Sequence, residues 1–409
     1  MHAETGCLHW SLEVEAGIRS AVVVAPLPDG KLAAFFGDQS ANVYAADANT
    51  GKLLWKVKVD DNDRAAITAA FQFYEGRLYV PVASREESQT NAIAGGTKYP
   101  CCKFRGSVLA LDAASGRTIW KSYLIQEPSV VQRSAAGTEV WGPSGSGVWN
   151  TPVIDPNRQM IYFGTGNNYS PPATDNSDAI VAVDMRSGKV SWVYQLQAND
   201  IWNHNCMIPN RDPLVCPDAD VPDIDYSASP VLVDLKGGRQ VLIAANKGGN
   251  LAALDPERGK TIWSTDVFFK TGMVWGVAAD AEQVYAAGGG MVAVNLNDGR
   301  IVWRTPAAPC GTRRPCNSGM PGAVSAIPGV AFAGSLDGKL RAYSTRDGKT
   351  IWEHDTIREY ETVNGIKTQG GSMSNAGPTI VGGMLFMNAG YSHHGGVVPG
   401  NALLAFAPE

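Results

Sequence analysis

The sequence predicts an all-β fold, a β-propeller of four-stranded blades, and three observations predict it. A turn-plus-tryptophan unit recurs seven times, apolar strands fill the stretches between copies, and no stretch reads as a helix of useful length. The unit is an apolar strand, then Asp-x-x-(Thr/Ser/Asp)-Gly-(Lys/Arg), then a strand ending in Trp. Its copies occupy residues 3–10, 47–55, 112–120, 184–192, 255–263, 295–303 and 344–352. Asp opens each turn through its side chain, Gly supplies the left-handed position, and the flanking strands pair as a hairpin. The Trp falls at a fixed offset, suited to docking between neighbouring sheets. Further strands, such as Gln240-Val-Leu-Ile-Ala-Ala245 and Gln283-Val-Tyr-Ala-Ala287, separate the copies, which recur every 40 to 72 residues. That is one four-stranded sheet per repeat plus loops of variable length, and such sheets arranged radially make a propeller.

The ends of the chain fit the same pattern. It closes on Asn401-Ala-Leu-Leu-Ala-Phe, the strand that normally precedes the turn, and opens on the turn and strand that normally follow. One blade is therefore expected to be closed by strands from both ends. Seven sheets can be counted, and an upstream blade would make eight. Residues 1–409 are expected to form a single domain with an upstream region, including any signal, missing before it.

Composition narrows the function. With 44% apolar and 18% charged residues the chain is globular. A net charge of −5 without a basic block excludes an ordinary nucleic-acid binder. No apolar run approaches the length of a membrane span. The cysteines point to an oxidising compartment, periplasmic or secreted. Cys206 and Cys216 close a loop, Cys310 and Cys316 close another, Cys101 and Cys102 are adjacent, and Cys7 is left over. No Cys-x-x-Cys-His occurs, which excludes covalent haem within these residues.

Four insertions hold the candidate chemistry. The first contains Glu86 and Glu87 at a strand end and runs on to Cys101 and Cys102 after Pro100. The glutamates read as a solvated loop pair or as ligands; the cysteines read as a vicinal ring or a buried reduced pair. The second contains Trp149, outside the repeat tryptophans, and Gly164-Thr-Gly-Asn-Asn168. Trp149 is core filling or a platform. The Gly-rich stretch is a tight connection, or it presents the Asn167 carbonyl to a hard cation. Asp200, in Asp200-Ile-Trp-Asn203, is a turn residue or a base. The acidic residues of Asp223-Ile-Asp-Tyr-Ser-Ala-Ser-Pro230 read as solvated. Lys247 in Asn246-Lys-Gly-Gly-Asn250 is a surface lysine or a cation aimed at an anionic ligand. The His393 and His394 pair receives no role.

Taken together these residues resemble the quinoprotein alcohol dehydrogenases, propellers that hold pyrroloquinoline quinone (PQQ) with Ca²⁺ on the propeller axis. The similarity is greatest to the polyvinyl alcohol dehydrogenase group, through Tyr99-Pro-Cys-Cys-x-Phe-Arg-Gly106, Gly-Thr-Gly-Asn-Asn-Tyr169, Trp202-Asn with Cys206, Cys310-Gly-Thr-Arg and Thr362-Val-Asn-Gly-Ile-Lys-Thr-x-Gly-Gly371. It covers essentially the whole chain. The resemblance implies that Trp149 stacks on one face of PQQ and that the Cys101–Cys102 ring is a candidate for the other. In methanol-type enzymes, however, the adjacent cysteines precede the acidic ligand. It implies Glu87, with Glu86 as the alternate, and Asn167 as Ca²⁺ ligands. Lys247 matches the cation on the quinone oxygens, Arg19 matches a peripheral arginine, and Ser84 and Trp275 join the cofactor-binding set.

The chief departure is the base. Methanol-type enzymes carry Asp-x-Trp-Asp, with the second aspartate as base; here the second position is Asn203, which cannot accept a proton. The role is expected to move to Asp200, with Asn203 orienting substrate or ligating metal and Glu86 a further option. The implied reaction is oxidation of a secondary or primary alcohol by hydride transfer to the quinone. Electrons then pass to a separate cytochrome, most simply a c-type one. The competing expectations are a PQQ-free binding or assembly scaffold on the same propeller and a degenerate quinoprotein without its base.

Overall fold

The computed structural model describes residues 2, 5–90, 101–133, 137–209, 211, 213–214, 216–217, 223–268, 273–314, 316–363, 365–374, 376–390 and 397–408. Tyr99, Pro100, His393 and His394 lie outside the described residues. The chain divides into two compact units, Leu8–Tyr226 and Ser227–Glu409 with Met1–Cys7.

The unit Leu8–Tyr226 contains three antiparallel blades. The first is built from Val23–Pro26, Leu32–Gly37, Asn42–Asp47 and Leu53–Lys58. The second is built from Gln72–Tyr74, Arg77–Ser84, Ser107–Asp112 and Thr118–Tyr123, with Ala65–Ala66 pairing the far end of Arg77–Ser84. The third is built from Val153–Asp155, Met160–Gly164, Ala179–Asp184 and Val190–Gln195. The central strands are buried on both faces, which suits their apolar runs; the fourth strands are exposed or half-buried throughout. Phe35, Val43, Ile67, Leu78, Val80, Val82, Phe104, Leu109 and Tyr169 form one core cluster, and Tyr79, Val108, Val148, Ile161, Phe163 and Val181 form another.

The unit containing Ser227–Glu409 has three further four-stranded sheets: Val231–Asp234 to Thr261–Asp266, Ala278–Ala279 to Ile301–Pro306, and Ser325–Ile327 to Thr350–Asp355. Its last sheet has three strands, Thr379–Val381, Met384–Ala389 and Ala402–Phe406. The expected closure of one blade from both ends is not formed among the described residues. The N-terminal copy of the unit makes no strand there, although its tryptophan docks on the next turn: Trp10 Nε1 donates to Ala48 O at 2.9 Å, and a Cβ on Gly51 would sit 2.7 Å from its ring.

The repeat explains itself at atomic level. In the turn of residues 184–188, Ser187 N donates to Asp184 Oδ1 at 2.8 Å and Gly188 N to Asp184 O at 2.8 Å, while Gly188 takes a φ of +71° that favours glycine. A Cβ on Gly188 would sit 2.6 Å from the ring of Trp120, the tryptophan of the preceding copy, whose Nε1 donates to Met185 O at 3.1 Å. Trp55 over Gly116, Trp263 over Gly299 and Trp303 over Gly348 repeat the arrangement. The glycine thus serves both the turn and the ring that lies on it.

Three disulfides join Cys101 to Cys102, Cys206 to Cys216 and Cys310 to Cys316, and Cys7 is an exposed thiol, as the spacing predicts. Among the described residues no helix is long and apolar enough to cross a membrane.

Candidate cofactor site

The turn of residues 164–168 is the hub of the site. It leaves the strand Met160–Gly164 and is fixed on every side. Asn150 clamps Gly164, donating from Nδ2 to Gly164 O at 2.9 Å and accepting Gly164 N at 3.0 Å. Gly166 N donates to Gly147 O at 2.9 Å, Ser146 N to Asn167 O at 2.7 Å, and Trp202 N to Asn168 O at 3.0 Å. The two glycines are required by their neighbours. A Cβ on Gly164 would lie 1.9 Å from Tyr226 O, and one on Gly166 would lie 3.1 Å from both Trp149 Nε1 and Asp225 Oδ1. Trp149, half-buried, and Asp225 therefore flank Gly166 closely.

Acidic side chains surround this turn. Asp225 Oδ1 accepts Asn167 N at 2.9 Å. Asp178 follows in the chain at a φ of +47°, with its amide on Gly166 O at 3.1 Å. Asp200 immediately precedes Ile201, which bridges Asn168. All three aspartates are buried. Burial holds the Asp178 carboxyl well above the usual carboxylate range, and the negative charges of Asp225 and Asp200 push it the same way. Asp178 stands outside the motifs that the spacing singles out, and the expectation that Asp225 is solvated is corrected: its carboxylate is buried because it satisfies the Asn167 amide. A polar residue at the start of an apolar strand (Ser177-Asp178-Ala-Ile-Val) was the one signal available for Asp178.

The first insertion approaches through the second blade. Ser84 ends the strand Arg77–Ser84, and its Oγ accepts Glu86 N at 2.9 Å, opening the 3-10 turn Glu86–Gln89. Glu86 is buried, and its carboxylate accepts Lys103 N at 3.0 Å and Phe104 N at 2.6 Å. Those amides directly follow Cys101 and Cys102, which are buried, disulfide-bonded and joined by a cis peptide. Phe104 stacks on Tyr169, ring centroids 6.3 Å apart. Burial pushes the Tyr169 phenol well up, helped by the charges of Glu87, Asp225 and Glu86, so three carboxylates bear on one hydroxyl. Glu87 is half-buried.

The remaining candidates fall as follows. Asn203 is buried, donates from Nδ2 to Tyr169 O at 2.8 Å and accepts Asn205 N at 2.9 Å, capping the 3-10 turn His204–Met207. Its amide is engaged at both ends. Thr90 Oγ1 ties the two 3-10 turns together, accepting Asn205 N at 3.0 Å and donating to Glu87 O at 2.7 Å. Arg19 is half-buried in the segment before the first sheet, next to Ser20, whose Oγ donates to Gly37 O at 3.0 Å. Lys247 and Trp275 belong to the other unit. Lys247 is half-buried in a turn closed by Gly249 N on Asn246 O at 3.2 Å, and Trp275 is half-buried beside Gly276, which bridges Ser229. Among the described residues no group of three His, Cys, Asp or Glu side chains converges as a metal site.

Comparison with known proteins shows the family. Residues 89–210, which hold the ring, Trp149, Asn167, Asp178, Asp200 and Asn203, match the family model for the β-propeller domain of glucose, ethanol and alcohol dehydrogenases. Residues 177–398 match the model described as the outer membrane protein assembly factor BamB, which covers repeat-bearing blades. A europium-containing methanol dehydrogenase has the same fold, with a TM-score of 0.63 at 18% identity over 92% of this chain and 73% of that one. Fold and inserts together define a propeller of the quinoprotein dehydrogenase class. The polyvinylalcohol dehydrogenase of a Pseudomonas species is 39% identical over the whole of this chain and 67% of its own length. That of Sphingopyxis sp. strain 113P3 is 38% identical over the same shares. The chain belongs to the PQQ-dependent alcohol dehydrogenase family, in its polyvinylalcohol dehydrogenase group, and is an oxidoreductase of that family.

The described residues fit such a cofactor. Asn167 Nδ2 is buried with no hydrogen-bond partner among them. The amide O and N are interchangeable in assignment, so the same side chain turned over offers an unmet carbonyl oxygen. Carboxylate and amide oxygens are the donors a hard divalent cation takes.

Proposed function

We propose that this protein oxidises secondary alcohols, or polyvinyl alcohol-like polymers, with PQQ and Ca²⁺. PQQ, when bound, supplies the two-electron acceptor, and a Ca²⁺ ion beside it polarises the quinone. Trp149 offers an aromatic face and the Cys101–Cys102 ring a second, compact one. Asn167 and Glu87 supply oxygen donors for the cation. Asp200 takes the proton of the substrate hydroxyl. Asp178, whose carboxyl burial and the charges of Asp225 and Asp200 hold above the usual range, adds a second acidic group next to that base. The buried walls around the turn exclude water from the transfer.

One observation supports this reading above the rest. The unmet amide of Asn167, Trp149 and three buried carboxylates gather round one turn, in a chain 39% identical to a polyvinylalcohol dehydrogenase. The electron acceptor is proposed to be a c-type cytochrome lying outside residues 1–409, which hold no Cys-x-x-Cys-His. A periplasmic or secreted location suits the three disulfides.

Asp200→Asn tests the base. Turnover with a dye acceptor is expected to fall on the order of 10²–10⁴-fold, with PQQ uptake unchanged. Wild-type turnover in Asp200→Asn would assign the base elsewhere. A second reading, a cofactor-free assembly scaffold, is favoured by the BamB match over residues 177–398. It expects no PQQ uptake.

A further inference from the structure

We propose that Glu86 is a positioning residue: its carboxylate anchors the Cys101–Cys102 ring and is not a ligand of the metal. The inference rests on the reading that this ring forms one face of the cofactor site.

The ring is gripped from two sides. On one, Trp141 N donates to Cys101 O at 2.9 Å and Cys102 N to Trp141 O at 3.3 Å, a short ladder to the strand Glu139–Gly142. On the other, both oxygens of Glu86 stand 3.0 Å from Lys103 N, and Oε2 stands 2.6 Å from Phe104 N. Two successive amides directed at one anion form a small nest, and charge-assisted bonds of this kind are stronger than neutral ones. Glu86 is 1% exposed, so its charge requires those donors. The glutamate is itself fixed, its amide held by Ser84 Oγ at 2.9 Å. Downstream, Phe104 stacks on Tyr169, and both belong to the core cluster that contains the two cysteines. The anchor therefore runs from the end of the strand Arg77–Ser84, through Glu86, to the ring and on to the residue after Asn168. A carboxylate turned onto these amides is turned toward the ring peptide, which leaves the metal to Glu87 and Asn167.

Glu86→Gln keeps the shape but removes the charge and weakens the anchor. One amide oxygen still accepts Phe104 N, but the –NH₂ group faces the Lys103 N–H, donor against donor. The test uses the whole protein without cofactor. Each disulfide is followed during reduction by dithiothreitol, with alkylation and peptide mass spectrometry. In Glu86→Gln the Cys101–Cys102 bond is expected to open at least about tenfold faster than in wild type, because the Lys103 and Phe104 amides that follow the ring lose their charge-assisted bonds. Cys206–Cys216 and Cys310–Cys316 serve as internal controls and keep their rates. Glu87→Gln leaves all three unchanged. In the presence of PQQ, followed by quenching of tryptophan fluorescence, Glu87→Gln raises the Ca²⁺ needed for half-maximal binding about tenfold or more, whereas Glu86→Gln changes it by less than about threefold. A wild-type reduction rate in Glu86→Gln overturns the proposal, as does a loss of Ca²⁺ affinity equal to that of Glu87→Gln. If Glu86→Gln does not fold, Glu86→Asp keeps the charge and shortens the reach; faster opening confined to the ring supports the anchor, and an unchanged rate overturns it. If wild-type protein takes up no PQQ, the cofactor reading fails, while the reduction rates still decide the role of Glu86.

Discussion

Asn203→Asp restores the carboxylate that methanol-type relatives place after the tryptophan, and the structure says it will not restore a base. Asn203 is buried, and its amide donates to Tyr169 O at 2.8 Å while accepting Asn205 N at 2.9 Å. A carboxylate keeps the second bond and sets an oxygen against the Tyr169 carbonyl in the first. Losing that bond and stranding a buried acceptor costs about 1–3 kcal/mol. The new side chain avoids the larger penalty of a buried charge by holding its proton and donating it to Tyr169 O. Its folded pKa then lies above its unfolded one, so the folded state binds more protons and the stability of Asn203→Asp falls as pH rises. Between the two pKa values the fall is up to about 1.4 kcal/mol per pH unit. Urea unfolding followed by tryptophan fluorescence, at about pH 5 and about pH 7.5, measures the difference from wild type at each pH. A small loss at acid pH, a loss larger by about 2 kcal/mol or more at the higher pH, and no gain in turnover are expected. Equal stability at both pH values together with faster alcohol oxidation would refute the reasoning and place residue 203 against the substrate.

The frame and the acid cluster give two more tests. Gly188→Ala is expected to cost about 2–4 kcal/mol, from its left-handed φ and from displacing Trp120, while Gly237→Ala, at a φ of +93° with no atom within 4 Å, costs about 1 kcal/mol. Equal losses in urea unfolding would sink the ring-on-glycine account. Asp178→Asn replaces a carboxyl whose folded pKa is raised by burial and by the charges of Asp225 and Asp200. Because a raised folded pKa removes stability as pH rises above the ordinary Asp range, Asp178→Asn is expected to be more stable than wild type at neutral pH, with the advantage shrinking toward about pH 4. A pH–stability curve parallel to wild type would mean that Asp178 is ionised in the fold.

The frame was largely legible in the sequence because its information is local. Asp and Gly at fixed offsets specify a turn by their own side chain and φ, and the tryptophan follows at constant spacing, so the sheets could be counted before any were seen. The three disulfides were legible for the same reason, each closing a short loop or none. What the spacing did not reveal was the partner of each tryptophan: the ring lies on the glycine of the following copy, as Trp120 does on Gly188. The site was less legible because its contacts are not local. Glu86 reads as half of a solvated or metal-binding pair, yet its bonds go to amides 17 and 18 residues on, beyond an insertion. Asp225 reads as a loop acid, yet it is buried by an amide 58 residues earlier. Asn203 departs from the family pattern in the sequence itself, but the bond that holds the other end of its amide goes to the Tyr169 carbonyl, 34 residues earlier. The closure of a blade from both ends was expected from the order of strands and is not formed among the described residues, where the last sheet has three.

The central claim is that the turn of residues 164–168 and its surround hold PQQ with Ca²⁺ for alcohol oxidation. Adding PQQ with and without Ca²⁺ to the purified protein, then following dye reduction with polyvinyl alcohol and with simple secondary alcohols, tests it most directly. The account predicts stoichiometric PQQ uptake that depends on Ca²⁺, followed by alcohol-dependent reduction of the dye. No PQQ uptake at saturating Ca²⁺ would contradict it.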